Sequence, residues 1–255
     1  MGAAFQPPLF APPKAKFCYN SLVIKLLALD LDGTLVDSAP DLCHCLGVAL
    51  ERIGLRAPTE AQTRSWIGGG VEVLLKRALE HQSAAAAGEA ERAEALGAFL
   101  ACYERNLFVR SRLYPQVPET LDLLARRGIL LHCITNKRFA FADALLAQAG
   151  IRDRFALVLG GDSLPQKKPS GLQLETAARH AGVRPADALM VGDSMQDFSA
   201  ARAAGFRFAW ASYGYCAELP VPDGTATLRI DRFDELPALL DELARASVAR
   251  SPRGM

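Results

Sequence analysis

The chain has 255 residues, half of them hydrophobic, and carries 29 Lys plus Arg against 28 Asp plus Glu for a net charge of +1. That hydrophobic share excludes a mainly disordered chain and suffices for a buried core. Charge so close to neutral gives no electrostatic case for nucleic acid or an anionic membrane as the main partner, and no apolar run approaches the roughly 18 residues of a membrane-spanning helix.

The first 20 residues, MGAAFQPPLFAPPKAKFCYN, contain four prolines and no continuous apolar stretch. They read as a disordered extension rather than a secretory signal. The six cysteines, Cys18, Cys43, Cys45, Cys102, Cys133 and Cys216, include no C-x-x-C pair, which favours reduced thiols over a disulfide framework or a zinc site. A cytoplasmic location is the default expectation.

From Ser21 onward a unit recurs: a short apolar run, a polar turn, then a helical pattern. The runs are Val23–Leu29, Ile129–Ile134, Phe155–Leu159, Ala188–Val191 and Phe206–Trp210, each bounded by turn residues as buried parallel strands are. The last four follow helix-like segments ending at Gly128, Gly150, Gly182 and Gly205, where glycine suits a left-handed helix end. Alternation of this kind predicts an α/β fold with an open, mostly parallel sheet and helices on both faces.

One stretch breaks the rhythm. Between Asp37 and about Leu113 the patterning is helical, with amphipathic segments at Asp41–Ile53 and Gly70–His81 and an Ala-rich one at Glu89–Phe108. Ser83–Glu89 reads as a loop or helix end. Residues 38–115 are therefore expected to form a small all-helical insert within an α/β core made of residues 21–37 and 116–246. Its hinges are expected near Asp37–Pro40 and Tyr114–Pro118, where proline restricts the chain. A helix near Asp234–Ala246 is expected to cover a sheet edge, and residues 247–255 to form a disordered tail.

Chemistry is concentrated in Leu29–Ser38, LDLDGTLVDS, directly after the first apolar run. Strand alternation points Asp30 and Asp32 to one side, and Gly33 permits a sharp turn. Two carboxylates held together repel by roughly 4 kcal/mol at 4 Å and an effective dielectric near 20. Such a pair implies a metal ion or a shared proton. Further polar strings follow the later runs in order: Thr135-Asn136-Lys137, GGDSLPQKKP at 160–169 and GDSMQD at 192–197. Each alone would pass as a helix start or a surface loop.

Taken together, these strings resemble the four motifs of the haloacid dehalogenase (HAD) superfamily. The resemblance implies a Rossmann-like core with a helical cap, in which Asp30 attacks phosphorus to form an aspartyl-phosphate. Asp32 then protonates the leaving oxygen and activates water, and Lys168 supplies a fixed cation. Thr135, with Asn136 and Gly33, would bind the phosphoryl group. Asp30, Asp193, Asp197 and Asp32, the last through its backbone carbonyl, would hold Mg²⁺. Lys167 is expected to be a solvated neighbour. The family's usual Lys-Pro-x-Pro is interrupted here by Gly171.

Dehalogenases of this superfamily lack the second Asp, so Asp32 points to phosphoryl transfer. Among subfamilies the chain is most similar to bacterial phosphoglycolate phosphatases, through DLDGTLVDSAPDL (30–42), WIGGGVEVLLKRAL (66–79), YPQVPETL (114–121) and SYGY (212–215). The implied partner is a small phosphorylated metabolite, 2-phosphoglycolate first. Sugar-phosphate phosphatases, such as those acting on N-acetylmuramic acid 6-phosphate, and β-phosphoglucomutase-like enzymes share the core motifs. The WIGGG turn and Arg77 are candidates for meeting a substrate carboxylate.

Overall fold

The computed structural model describes residues 24–82, 88–216, 218 and 228–250. The expected N-terminal extension and residues 251–255 lie outside the described residues. The chain opens with β1 (Leu26–Leu29) and a two-residue strand β2 (Val36–Asp37). Four helices follow: α1 (Ala39–Arg52), α2 (Glu60–Trp66), α3 (Val71–His81) and α4 (Glu89–Arg105). After β3 (Arg112–Leu113) and α5 (Val117–Arg126) come β4 (Leu130–Ile134), α6 (Phe139–Gln148), β5 (Leu157–Leu159) and α7 (Leu172–Ala181). The last elements are β6 (Ala188–Gly192), α8 (Met195–Ala204), β7 (Arg207–Ala211), β8 (Leu228–Ile230) and α9 (Leu236–Arg250).

Six strands form one sheet in the order β5-β4-β1-β6-β7-β8, and every pairing in it is parallel. The five expected strands are all present, and each of the four expected glycines takes a positive φ after its helix. Strand alternation divides the core in two. Leu27, Leu29, Leu131 and Val191 face α5, α6 and α9, whereas Leu26, Ala28, Ile134 and Met190 face α7 and α8. Helix α9 packs over a sheet face beside α5, where Arg127 donates to Pro237 O and pairs with Asp241. It extends to Arg250, so its last turn occupies part of the expected tail.

The insert has its own core. Leu46 and Leu50 of α1, Leu75 and Leu79 of α3, and Phe99 and Tyr103 of α4 pack together as a helical cap. The chain enters and leaves it through β2 and β3, which pair antiparallel with Val36 opposite Leu113 and Asp37 opposite Arg112. Buried Asp41 secures the return by accepting the backbone N–H groups of Val109, Arg110 and Ser111 at 2.8–3.0 Å.

Cys43, Cys45, Cys102, Cys133 and Cys216 are free thiols. Among the described residues no helix is long and apolar enough to cross a membrane. Strand order reverses at β1, with β4 on one side and β6 on the other. A crevice at such a switch point, outside the strands' carboxyl ends, is where open α/β sheets bind ligands.

Candidate active site

Asp30 follows β1 directly, and its backbone N–H donates to Val191 O at 3.0 Å, tying the strand end to β6. Its carboxylate receives Lys168 Nζ at 2.8 Å. The same ammonium donates to Asp197 Oδ1 at 2.6 Å and to Ile134 O at 2.7 Å. Three acceptors match the three N–H donors of a lysine and fix its position. Burial alone would lower the Lys168 pKa, but Asp197 and Asp30 overcome it and raise it, so the charge persists.

Asp193 sits at the end of β6 and accepts the Tyr215 backbone N–H at 2.7 Å. Asp197, in the first turn of α8, uses its second oxygen on the N–H and hydroxyl of Ser194, closing a capping box at the helix start. Oxygens of Asp30, Asp193 and Asp197 lie within 4.8 Å of one another, all in buried residues. Three clustered carboxylates face one ammonium, so the site is formally short of positive charge.

The electrostatics register that deficit. Burial and the neighbouring Asp197 push Asp30 up to about 7 despite Lys168, and burial, Asp30 and Asp197 hold Asp193 well above the usual carboxylate range. A compact set of hard oxygen donors short of positive charge fits a divalent cation.

Glycines permit this crowding. Gly33 has φ +83°, and a Cβ there would lie 2.2 Å from Asp193 Oδ2. The interruption of the lysine motif at Gly171 has a similar cause, since a Cβ there would meet Ala204 N at 2.9 Å where α7 begins against the end of α8.

Asp32 faces a different environment. Its oxygens receive Lys137 Nζ at 2.9 and 2.8 Å, and the Ser38 hydroxyl at 2.5 Å. Its carboxylate therefore stands apart from the trio of Asp30, Asp193 and Asp197. Thr135 is buried at the end of β4, with its hydroxyl accepting the Lys137 N–H at 3.2 Å. Asn136 spends its amide on Gly68 O at 2.9 Å and Lys168 O at 3.0 Å, joining the insert to the lysine loop. The Gly33 N–H donates to Val36 O within its own turn.

Above these residues is a small cleft between core and insert, open to solvent on one side. Asp30, Asp32, Thr135, Asn136 and Lys137 form its floor; Leu42, Leu74, Phe99, Tyr103 and Phe141 form much of its wall. The WIGGG turn contributes Ile67, Gly68 and Gly70. Arg77 does not line the cavity and donates to Trp66 O within the insert. Lys167 is half-buried rather than solvated and donates to Gly69 O at 2.9 Å. Together with the Arg138–Glu72 ion pair, it and Asn136 fasten the turn to the core.

Sequence reasoning missed Ser38, Tyr103 and Tyr215 as site neighbours and gave Lys137 no part. Lys137 stood in the Thr-Asn-Lys string, so its closeness was readable there. Tyr103 carried only an i,i+4 pairing with Phe99, which signals packing.

A family model for haloacid dehalogenase-like hydrolases matches residues 24–205. The phosphoglycolate phosphatase of Nitrosococcus oceani is 43% identical over 220 residues, covering 86% of this chain and 98% of the relative. That of Vibrio vulnificus strain YJ016 is 40% identical over 225 residues, covering 86% and 95%. The crystal structure of a predicted phosphoglycolate phosphatase from Haemophilus somnus 129PT superimposes with a TM-score of 0.80 at 35% identity, covering 85% of this chain and 98% of that one. Sequence, fold and the clustering of four separated motifs at one crevice agree, and the chain belongs to the haloacid dehalogenase-like hydrolases.

Proposed function

We propose that this protein is a Mg²⁺-dependent phosphatase that hydrolyses 2-phosphoglycolate to glycolate and phosphate. The observation that carries the chemistry is the contrast between two neighbouring aspartates. Asp30 lies in a carboxylate cluster with Lys168, while Asp32 lies two residues on, outside that cluster and against Lys137. In this reading Asp30 attacks phosphorus in line, forming an aspartyl-phosphate as the ester bond breaks.

Asp32 gives its proton to the leaving oxygen, then takes one from the water that hydrolyses the acyl phosphate. Lys168 holds Asp30 in place and opposes charge on the phosphoryl oxygens. Thr135, Asn136 and the Gly33 turn border the phosphoryl position. Mg²⁺ would be held by Asp30, Asp193 and the Asp32 carbonyl, with Asp197 acting through Lys168, and it supplies charge neutralisation to the phosphoryl group. We take residues 38–115 as the cap and residues 21–37 with 116–246 as the core, in a cytoplasmic enzyme.

The substrate assignment rests on the relatives' names and on the cavity. A sugar phosphate would bring several hydroxyls against Leu42, Leu74, Phe99 and Phe141, whose side chains offer no partners. A short acid makes no such demand.

The deciding experiment compares kcat/KM for 2-phosphoglycolate, hexose phosphates, muramic acid 6-phosphate and nucleotides, with Asp30→Asn as control. We expect phosphoglycolate to lead and Asp30→Asn to abolish turnover and phosphoenzyme trapping. A hexose phosphate favoured a hundredfold would reject the substrate, and wild-type-like turnover by Asp30→Asn would reject the covalent route.

A further inference from the structure

Two polar groups lining the cavity have been given no contact with substrate in the chemistry above. The Lys137 ammonium is buried beside Asp32. The Tyr103 hydroxyl is buried in a residue only 1% exposed; the nearby Lys137 ammonium can only donate toward it, so its own O–H has no acceptor. Lys137 belongs to the loop after β4 and Tyr103 to α4 of the insert, so they approach the cavity from opposite halves. Lys137 Nζ lies 4.8 Å from the Tyr103 ring centroid. Phe99 stacks on that ring at 5.5 Å and Phe141 meets it edge-on at 5.4 Å, so the hydroxyl is held in place.

A buried donor left without a partner is costly and rare, and in a cavity wall it marks where a ligand acceptor belongs. Among the described residues lining the cavity, the cations are Lys137 and Arg138, and Arg138 is engaged by Glu72 at 2.5 Å. We propose that Lys137 and Tyr103 form a carboxylate-binding subsite that reads the acid group on the substrate's leaving portion. This rests on the phosphoglycolate reading given above and names the residues that select that substrate.

The reach is right. The leaving oxygen must touch Asp32 to be protonated, and both Asp32 oxygens lie within 2.9 Å of Lys137 Nζ. In phosphoglycolate the carboxyl carbon is two bonds from that oxygen, so one ammonium can bridge Asp32 and the substrate acid with separate N–H groups. The second carboxylate oxygen then accepts from the Tyr103 hydroxyl. Burial pushes the Tyr103 pKa up, which keeps the hydroxyl a donor. Because one partner comes from each half, an acid-bearing substrate also joins the insert to the core.

The test compares 2-phosphoglycolate with ethyl phosphate, which has the same leaving chain without the acid, in wild type, Lys137→Met, Lys137→Arg and Tyr103→Phe. The readout is the ratio of the two kcat/KM values, in which a general loss of activity cancels. We expect that ratio to fall about 100-fold in Lys137→Met and about 10-fold in Tyr103→Phe, through KM for the acid, with Lys137→Arg retaining part of it. Tyr103→Phe removes a hydroxyl whose O–H has no protein acceptor, so its thermal unfolding should stay close to wild type. A wild-type preference for phosphoglycolate that survives both Lys137→Met and Tyr103→Phe overturns the subsite alone. A wild-type ratio near one rejects the phosphoglycolate reading and the subsite with it.

Discussion

His132 is fully buried on β4, and neither ring nitrogen has a hydrogen-bond partner. Its ring meets that of His180 of α7 edge-on, with centroids 5.2 Å apart. Burial, with a smaller contribution from His180, lowers its pKa from 6.5 to about 3. Above pH 6.5 the ring is neutral folded or unfolded and contributes no pH dependence. Below that, the unfolded chain takes up a proton that the fold refuses. Stability therefore falls by about 1.4 kcal/mol per pH unit on acidification toward pH 3. Replacing His132 with Leu should remove this loss, so the variant's advantage in urea unfolding should grow by about 2 kcal/mol between pH 7 and pH 5. An advantage that does not change with pH would refute it. Sequence reading counted His132 as part of an apolar run, which its burial justifies; its missing partners depend on α7, beyond the reach of any local pattern.

Helix α1 shows how an element can depend on a distant residue. Ser38 precedes it yet makes no side-chain bond to the helix's own N–H groups, because its hydroxyl goes to Asp32. Tyr215 fills the role from the core. Its hydroxyl accepts the N–H of Ser38 at 2.8 Å and of Ala39 at 3.0 Å, and donates to Asp37 at 3.1 Å. Tyr215→Phe should cost about 1–3 kcal/mol in chemical denaturation, since donors near the helix start lose their acceptor. A cost below 0.5 kcal/mol would show that water replaces the hydroxyl.

Legibility at this scale follows from where the stabilising contact lies. The five expected strands and three of the cap helices advertised themselves through period and turn residues. Helix α2 escaped notice although Thr59 and Gln62 form a capping box, a signal present in the sequence. Strand β8 is Leu-Arg-Ile, too short to show a period, and exists by pairing with β7. The four motifs were readable because each directly follows a strand. Tyr103 and Tyr215 were not, since their importance comes from elements far apart in the chain.

For the whole molecule, charge that nearly cancels overall is unbalanced at one place. Asp30, Asp193 and Asp197 share the single ammonium of Lys168. Binding of Mg²⁺ should stabilise the native state by about 2.7 kcal/mol at 100 times its Kd, which is measurable as a rise in Tm. Asp193→Asn should abolish that rise while leaving the metal-free protein at least as stable as wild type, because a buried charge is gone. A metal-free variant clearly less stable than wild type would mean that the hydrogen bond from Tyr215 outweighs the relief of repulsion.

The two-rung ribbon of β2 and β3 sets the route of the entire chain. Val36 and Leu113 are neighbours, so the path leaves the core and re-enters it at one doorway. In topological terms everything from residue 38 to residue 111 is the loop of a hairpin. Closing such a loop costs entropy that grows only with the logarithm of its length. The parallel sheet can therefore accept inserts of very different size at this point without rerouting a strand, and new selectivity can be added at the doorway while the four motif loops stay where they are.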